Sequence, residues 1–458
     1  MTLKTSSQDL AAKDKKHLWH PFTQMKDWQK EDILIVERAE GVFLIDTEGR
    51  RYLDGVSSLW CNVHGHQVAA IDDAVRAQLG KVAHSTFLGL SNVPAIELAE
   101  KLTAMAPSGL TRVFYSDSGS EAVEIALKMA YQYWQQRGHP KKKKFIKLTQ
   151  SYHGDTLGSV SVGGIGLFHQ IYGPLLFETF SVEAPYRYRW PGPGSPEKAG
   201  EASLKQLETL LEKHHEEIAA FVMEPLMQGA AGMIDQPEGY ISRARELTKK
   251  YNTLLIFDEV ATGFGRTGRM FASDHEGVTP DLMTVAKGLT GGYLPLAATL
   301  ATEEVYEAFL GEYEEFKTFF HGHTFTANPL ACAAAIANLN LFEENQVIRN
   351  LQPRIAEMTG RLKTFYALPS VGDIRQKGFM AGIELVKDRA AKTDYEPREK
   401  IGMRVTRRAR EKGVIVRPLG PVMVLMPPLA ISAGELKFLM DVLYSSIEEV
   451  TSEKDKQD

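Results

Sequence analysis

What most constrains this chain is a series of short apolar runs in its middle, separated by amphipathic stretches: residues 113–115 (VFY), 145–148 (FIKL), 220–223 (AFVM), 254–257 (LLIF), 283–286 (MTVA) and 296–301 (LAATLA). Strand-length apolar runs alternating with helical patterning are what a mostly parallel sheet covered by helices requires. Between the first two runs, EAVEIALKMAYQYW places Ala122, Ile125, Ala126, Met129, Ala130 and Tyr133 at helical spacing, the apolar face of a packed helix. The fold class that follows is α/β.

At 458 residues the chain exceeds one small core, which points to two domains. Residues 42–44 and 51–53 are strand-like. After Phe325 the pattern changes to an Ala-rich helix over 328–344, further helix to about Tyr366, and strand-like pieces at 378–386 and 414–416. The expected division is a large central domain of residues 66–326 and a small α+β domain built from both chain ends, 1–65 and 327–458. Residues 184–200, rich in Pro, Gly, Tyr and Arg, read as a surface loop, and Lys141 to Lys144 as a solvated turn.

Composition removes several classes of function. With 53 basic and 58 acidic residues the formal charge is −5, so no basic surplus argues for nucleic acid or an anionic membrane. No run reaches the roughly 18 apolar residues of a membrane span, and the first twenty or so residues lack the apolar core of a secretion signal. A cytoplasmic location is expected. The cysteines, Cys61 and Cys332, are far apart and read as small core residues. His64, His66, His321 and His323 form i, i+2 pairs without thiolates, which is not a zinc pattern, and no metal is expected.

IFDEVATGFGRTG, residues 256–268, contains the Gly-x-Gly-x-x-Gly of a dinucleotide site and the strand-plus-acid-pair of an ATPase. The first needs its glycines directly after the strand and opening a helix, and RMFASDHEG makes a poor amphipathic helix. The second needs a G-x-x-x-x-G-K-[ST] phosphate loop, which the sequence lacks, and Asp258 and Glu259 at a strand end point to opposite faces. With both nucleotides set aside, Gly263, Gly265 and Gly268 read as a flexible loop leading away from the site.

Lys287, in MTVAKGLTGG, stands at the end of a buried strand before a glycine-rich turn, where open α/β sheets gather ligands. A desolvated lysine amine is the group that forms Schiff bases. Pyridoxal phosphate would need that lysine, an acid at the pyridine nitrogen, an anion site for phosphate and a face for the ring. Asp258 ends a neighbouring strand; Ser118-Gly119-Ser120-Glu121 has the capping-box form at a helix start; Tyr152 and His153 follow another strand.

These residues carry a resemblance. SDSGSEAVEIALK, YHGDT, EPLMQGAAGM, IFDEVATGFGRTG, AKGLTGG and HGHTFTANPLACAAA together resemble the class III, fold-type I pyridoxal-phosphate aminotransferases, from about His17 to Ile447. The resemblance implies a seven-stranded, mixed but mostly parallel sheet in the large domain and ping-pong transfer between an amino donor and an oxo-acid acceptor. It implies Lys287 as cofactor-bearing lysine and proton shuttle, Asp258 at the pyridine nitrogen and Tyr152 on the ring. His153, Glu224 and Val260 would lie near the cofactor, and Ser118, Gly119 and Ser120 at its phosphate. Gly322, His323 and Thr324 would reach the phosphate of a second subunit, making the active unit a homodimer. Arg417 would bind a substrate carboxylate, in a pocket shared with Phe22, Leu59, Trp60, Tyr152, Lys287, Gly322 and Val424.

Within that family, HLWHPFTQM, DGVSSLW, RPLG and VLMPPL resemble the branch that makes 7,8-diaminononanoate from 8-amino-7-oxononanoate in biotin synthesis. Three positions depart from its adenosylmethionine-using members. Phe22 and Val424 stand where tyrosines are usual, and Leu59 replaces the first of two adjacent tryptophans before Trp60. The loss of polar and stacking groups leans the donor towards lysine. Trp60 reads equally as pocket wall or core. A broad ω-aminotransferase would share every cofactor residue, and a decarboxylating relative would keep Lys287 and Asp258, so both readings stay open on these grounds.

Overall fold

The computed structural model describes residues 6–452. At its centre is a seven-stranded sheet in the order Leu110–Ser116, Ala297–Thr302, Leu282–Val285, Leu254–Asp258, Ile218–Met223, Lys144–Leu148, Thr179–Val182. Ala297–Thr302 runs antiparallel to both neighbours, and every other pairing is parallel. Ile218–Met223, Leu254–Asp258 and Leu282–Val285 are buried at every position, as their apolar runs demand. Successive residues serve opposite faces: Leu254 and Ile256 share an apolar cluster with the helix Gly119–Gln136, whereas Leu255 and Phe257 share one with the helices Val93–Met105, Ala199–His214 and Tyr240–Lys250. All six expected strands are present. The seventh, Thr179–Val182, is a short edge strand buried only at Val182, too polar to stand out in the sequence.

The two ends of the chain meet in smaller sheets. Val36–Glu40, Phe43–Asp46 and Arg51–Asp54 continue into Val414–Ile415, which pairs parallel with Arg51–Asp54. Val371–Lys377, Met380–Leu385, Val422–Leu425 and Arg417–Leu419 form an antiparallel sheet in that order. The helices Pro329–Glu344 and Val347–Thr364 lie where the Ala-rich and following patterns place them. Among the described residues no helix is long and apolar enough to cross a membrane, and no three His, Cys, Asp or Glu side chains gather as metal ligands.

Two expectations are corrected. The lysine run is no solvated turn throughout: Lys142 is 3% exposed and its Nζ donates to the carbonyls of Ile218 (3.1 Å), His215 (2.6 Å) and Asn252 (2.7 Å). The His215 and Asn252 carbonyls follow helix ends and Ile218 opens a strand, places where carbonyls lack a regular partner, and one ammonium with three donors satisfies all three together. Nor is the glycine stretch a flexible loop, since residues 261–268 are all buried. Arg266 donates to the carbonyls of Pro427 and Asn62, each at 2.7 Å, and Gly265 (φ +86) has Leu429 Cδ1 2.7 Å from where a Cβ would stand. Close packing in a left-handed conformation, rather than mobility, calls for glycine here. The loop 184–200 is exposed over 193–198, while Tyr186 and Arg189 at its start donate to the buried Glu384.

Candidate active site

Five parallel strands end on one side of the sheet, and the residues that follow them line a single cavity of about 690 Å³. Carboxyl ends of strands are where open α/β sheets hold ligands, and this size suits a small molecule. Leu110–Ser116 delivers Asp117 to Ser120, Lys144–Leu148 delivers Tyr152 to Thr156, and Ile218–Met223 delivers Glu224. Leu254–Asp258 contributes Asp258, Val260 and Ala261; Leu282–Val285 contributes Ala286 and Lys287.

Asp258 is 4% exposed and held from three sides. Its Oδ2 meets His153 Nδ1 at 2.7 Å; its Oδ1 accepts from the Val260 amide at 3.0 Å and from Thr284 Oγ1 at 3.3 Å. Thr284 lies on the strand of Lys287, so adjacent strands fix the carboxylate. Glu259 points the other way: its carboxylate accepts from Thr262 Oγ1, the Ala272 amide and the Ser273 amide, outside the cavity. Its role is to cap a turn.

Lys287 has left-handed backbone (φ +45), and its Nζ lies 4.9 Å from the centre of the Trp60 ring. Burial lowers its pKa, against the opposing charges of Asp258 and Glu224. Glu224 accepts from the amides of Tyr152 (3.0 Å) and Gly229 (2.8 Å), yet burial still pushes its pKa up to about 7.

The helix Gly119–Gln136 opens with the expected capping box: Ser118 Oγ accepts from the Glu121 amide, and the Glu121 side chain accepts from the Ser118 amide. The amides of Gly119 and Ser120, next in the first turn, are the ones such an end offers to an anion. Gly119 fits tightly, since a Cβ there would lie 2.6 Å from Val260 Cγ1. Tyr152 donates its hydroxyl to Asp155 at 2.7 Å, and its ring lies parallel to that of His169 with centroids 6.4 Å apart.

Of the expected site residues, Ser118, Gly119, Ser120, Tyr152, His153, Glu224, Asp258, Val260, Lys287 and Trp60 line this one cavity. Trp60 proves to be wall and core at once, 7% exposed and clustered with Met227, Ala261 and Val424. Val424 lies behind the wall, and the exposed Arg417 is its cross-strand partner, hence on the same face. Leu59 is exposed, and Phe22, also exposed, reaches the site through a ring contact with Phe168, itself edge-on to Tyr152. Gly322 and Thr324 are exposed outside the cavity; His323 lies 3.5 Å from Asp117.

Cys332 is buried, its thiol pushed up to about 12, but Cys61 lines the cavity, correcting its reading as core. Sequence reasoning also missed Asp117, Asp155 and Thr284 as site residues. Asp155 sits in the quoted YHGDT and Thr284 three residues before Lys287, so spacing alone could have marked both.

The chain belongs to the class-III aminotransferase family, which it matches over residues 24–447, and it is a pyridoxal-phosphate-dependent transaminase. It is 53% identical to the adenosylmethionine-8-amino-7-oxononanoate aminotransferase of Geobacter sulfurreducens, over 97% of this chain and 98% of that one. The crystal structure of the protein of that name from Methanocaldococcus jannaschii is similar with a TM-score of 0.92 and 47% identity, covering 97% of this chain and 99% of that one. An (S)-enantioselective omega-transaminase from Thermomicrobium roseum gives 0.93 at 36% identity, covering 98% and 100%. The family resemblance and the α/β fold-type I class expected from the sequence are borne out.

Proposed function

We propose that this chain transfers an amino group to 8-amino-7-oxononanoate, giving 7,8-diaminononanoate in biotin synthesis, with pyridoxal 5′-phosphate in the cavity at the carboxyl edge of the sheet. The observation that carries the cofactor site is that Lys287, Asp258 and the capping-box helix end line one cavity. The residues fit the group. Asp258 uses three of about four acceptor positions, which leaves one for a ring N–H. His153 Nε2 and Trp60 Nε1 are buried at the wall without a protein partner. Relatives named for this acceptor, 53% and 55% identical, support the substrate.

When bound, the cofactor supplies an aldehyde that takes up the amino group and a protonated ring that accepts the electron pair freed at the substrate carbon. Lys287 would hold the cofactor and serve as the proton-moving base beside it; its lowered pKa enlarges the neutral, proton-accepting fraction. Asp258, oriented by His153, Val260 and Thr284, would keep a proton on the ring nitrogen. Tyr152 would cover a ring face, and the amides of Gly119 and Ser120 would hold the phosphate. Arg417 binds the acceptor's carboxylate.

Gly322, His323 and Thr324 complete the phosphate site of a second copy. Support comes from the exposed apolar surface around them: Leu88, Leu90, Phe320 and Phe325 are each more than half exposed, and Leu88 lies beside Gly322. The protein works in the cytoplasm as a homodimer.

Lysine is the donor this reading favours, because Phe22 and Val424 stand where the adenosylmethionine-using members carry tyrosines and Phe22 meets Phe168 edge to face at 5.2 Å instead. Adenosylmethionine is the second reading, favoured by the names of the relatives. The test is to incubate cofactor-loaded protein with 8-amino-7-oxononanoate and, separately, lysine, adenosylmethionine and simple amines. Diaminononanoate from lysine alone is the expected result. No diaminononanoate with any donor refutes the acceptor; turnover of simple amines alone makes the enzyme a broad ω-aminotransferase.

A further inference from the structure

We propose that Asn338 is a positioning residue for Lys287, its side-chain amide fixing the backbone turn from which the lysine enters the cavity. The inference rests on the role of Lys287 given above. Lys287 opens the short turn Lys287–Thr290 in a left-handed conformation, φ +45, entered from Ala286 at φ −160 and ψ −146. Such a backbone is strained for a residue with a side chain and persists where its surroundings overdetermine it. The turn's local bonds include Leu289 N–H to Ala286 O at 3.0 Å, Gly291 N–H to Gly288 O at 3.2 Å and Thr290 Oγ1 to Leu294 O at 2.7 Å, and none of these is accepted by the Leu289 carbonyl.

Facing the turn is the helix Pro329–Glu344, whose buried residues are otherwise Pro, Ala, Cys, Leu and Phe. Asn338, fully buried among them, donates its Nδ2 to Gly288 O at 2.9 Å and to Leu289 O at 3.0 Å. The opposite amide orientation would set an oxygen against two carbonyls, so the donor assignment is forced. Its Oδ1 lies over Gly291, φ +63, only 2.5 Å from where a Cβ would stand, so the close approach of the amide to the turn leaves room there for glycine alone. The Asn338 carbonyl accepts from His64 Nε2 at 3.0 Å, tying this point of the helix to the segment that follows Trp60 and Cys61 in the cavity wall. A buried amide in an apolar helix face is costly to desolvate. Here it grips the carbonyls of the two residues that follow the lysine.

The test uses full-length protein carrying Asn338→Leu, similar in size but without a donor, with Asn338→Ser as a second variant read by the same criteria should the first fail to fold. Three quantities are compared with the unmodified protein: the rate at which cofactor-stripped protein and pyridoxal phosphate form a borohydride-reducible bond at Lys287, the pH midpoint of the bound cofactor's visible absorbance, and the affinity for pyridoxamine phosphate, which occupies the same cavity without bonding to lysine. Misplacing a reacting group by about 1 Å costs on the order of 100-fold, so a fall of at least about tenfold in bond formation is expected, with a shifted midpoint. Pyridoxamine phosphate affinity should stay within about twofold. Unchanged bond formation and midpoint would overturn the proposal. So would a parallel loss of pyridoxamine phosphate binding, because Asn338 would then serve the cavity as a whole. If the unmodified protein forms no reducible bond, the reading of Lys287 itself fails, and the inference falls with it.

Discussion

Replacing Asp258 with asparagine removes one charge and almost no volume. The new amide can keep its oxygen towards the Val260 amide and Thr284 Oγ1, bonds of 3.0 and 3.3 Å to the native Oδ1, and turn its nitrogen to His153. His153 Nδ1, 2.7 Å from Oδ2 in the native protein, would then have to accept instead of donate. What is lost is attraction between a carboxylate and a protonated ring nitrogen at hydrogen-bond distance. At about 3 Å and an effective dielectric constant of about 20, that attraction is about 5 kcal/mol. At 1.36 kcal/mol per unit it is worth about four units in the ring's pKa. The half-reaction should slow by roughly 1,000- to 10,000-fold; cofactor affinity should fall as well, because the same attraction holds the ring, but the helix end and Lys287 are untouched and excess cofactor still fills the site. Single-turnover mixing with excess lysine, at measured full occupancy, reads the effect. A rate within tenfold of the native enzyme would refute the assignment of Asp258 to the ring nitrogen.

Gly119→Ala would press a methyl group against Val260 Cγ1, 2.6 Å away, and Cγ2, 2.9 Å away. Cofactor affinity, followed by fluorescence titration, should fall at least about tenfold, an overpacking cost of 1–3 kcal/mol, and adding Val260→Ala should restore most of it. Glu224 and Glu259 are both raised by burial to about 7, so between the ordinary carboxyl value and pH 7 the native protein holds protons that the unfolded chain has released. Stability should therefore fall across that window as pH rises. Denaturant unfolding of the cofactor-free protein at several pH values should show the fall, and Glu224→Gln should flatten it by a few kcal/mol at most. Lys142→Met should cost about 3 kcal/mol in the same assay, since three carbonyls lose their donor. Cofactor affinity should not move, because Lys142 is not in the cavity wall.

The parts of this molecule that were legible in its sequence are those fixed by local pattern. Leu254–Asp258 announces itself by an unbroken apolar run, and Ser118 with Glu121 by a capping spacing that the helix then obeys. Thr179–Val182 is hidden because an edge strand need not be apolar on both faces. Lys142 and Gly265 were misread for a common reason. Their roles depend on groups far along the chain, the carbonyls of His215 and Asn252 for one and the side chain of Leu429 for the other. Composition says turn and flexibility; the tertiary neighbours say donor and close approach. Phe22 and Arg417 are a further case, known by motif, yet reaching the site only through Phe168 and the face shared with Val424.

The charge of the cavity also follows from the way the sheet builds it. Its wall carries Asp117, Asp155, Glu224 and Asp258 but, among lining residues, Lys287 as the single lysine and no arginine. An acid-rich wall attracts amines, the feature that lysine and 8-amino-7-oxononanoate share, and it would repel a phosphate were every carboxyl ionised. Two properties of the fold ease that conflict. Burial raises the pKa of Asp117, beside the helix end, and that of Glu224, so both carry less negative charge at a given pH than exposed carboxyls would. In the proposed arrangement the phosphate would be met by backbone amides at the positive end of a helix of 18 residues, which needs no basic side chain to compete for the substrate's carboxylate. Were Arg417, exposed and on the face shared with Val424, to bind that carboxylate as proposed, the amine and carboxylate ends of a substrate would be drawn to different parts of one site.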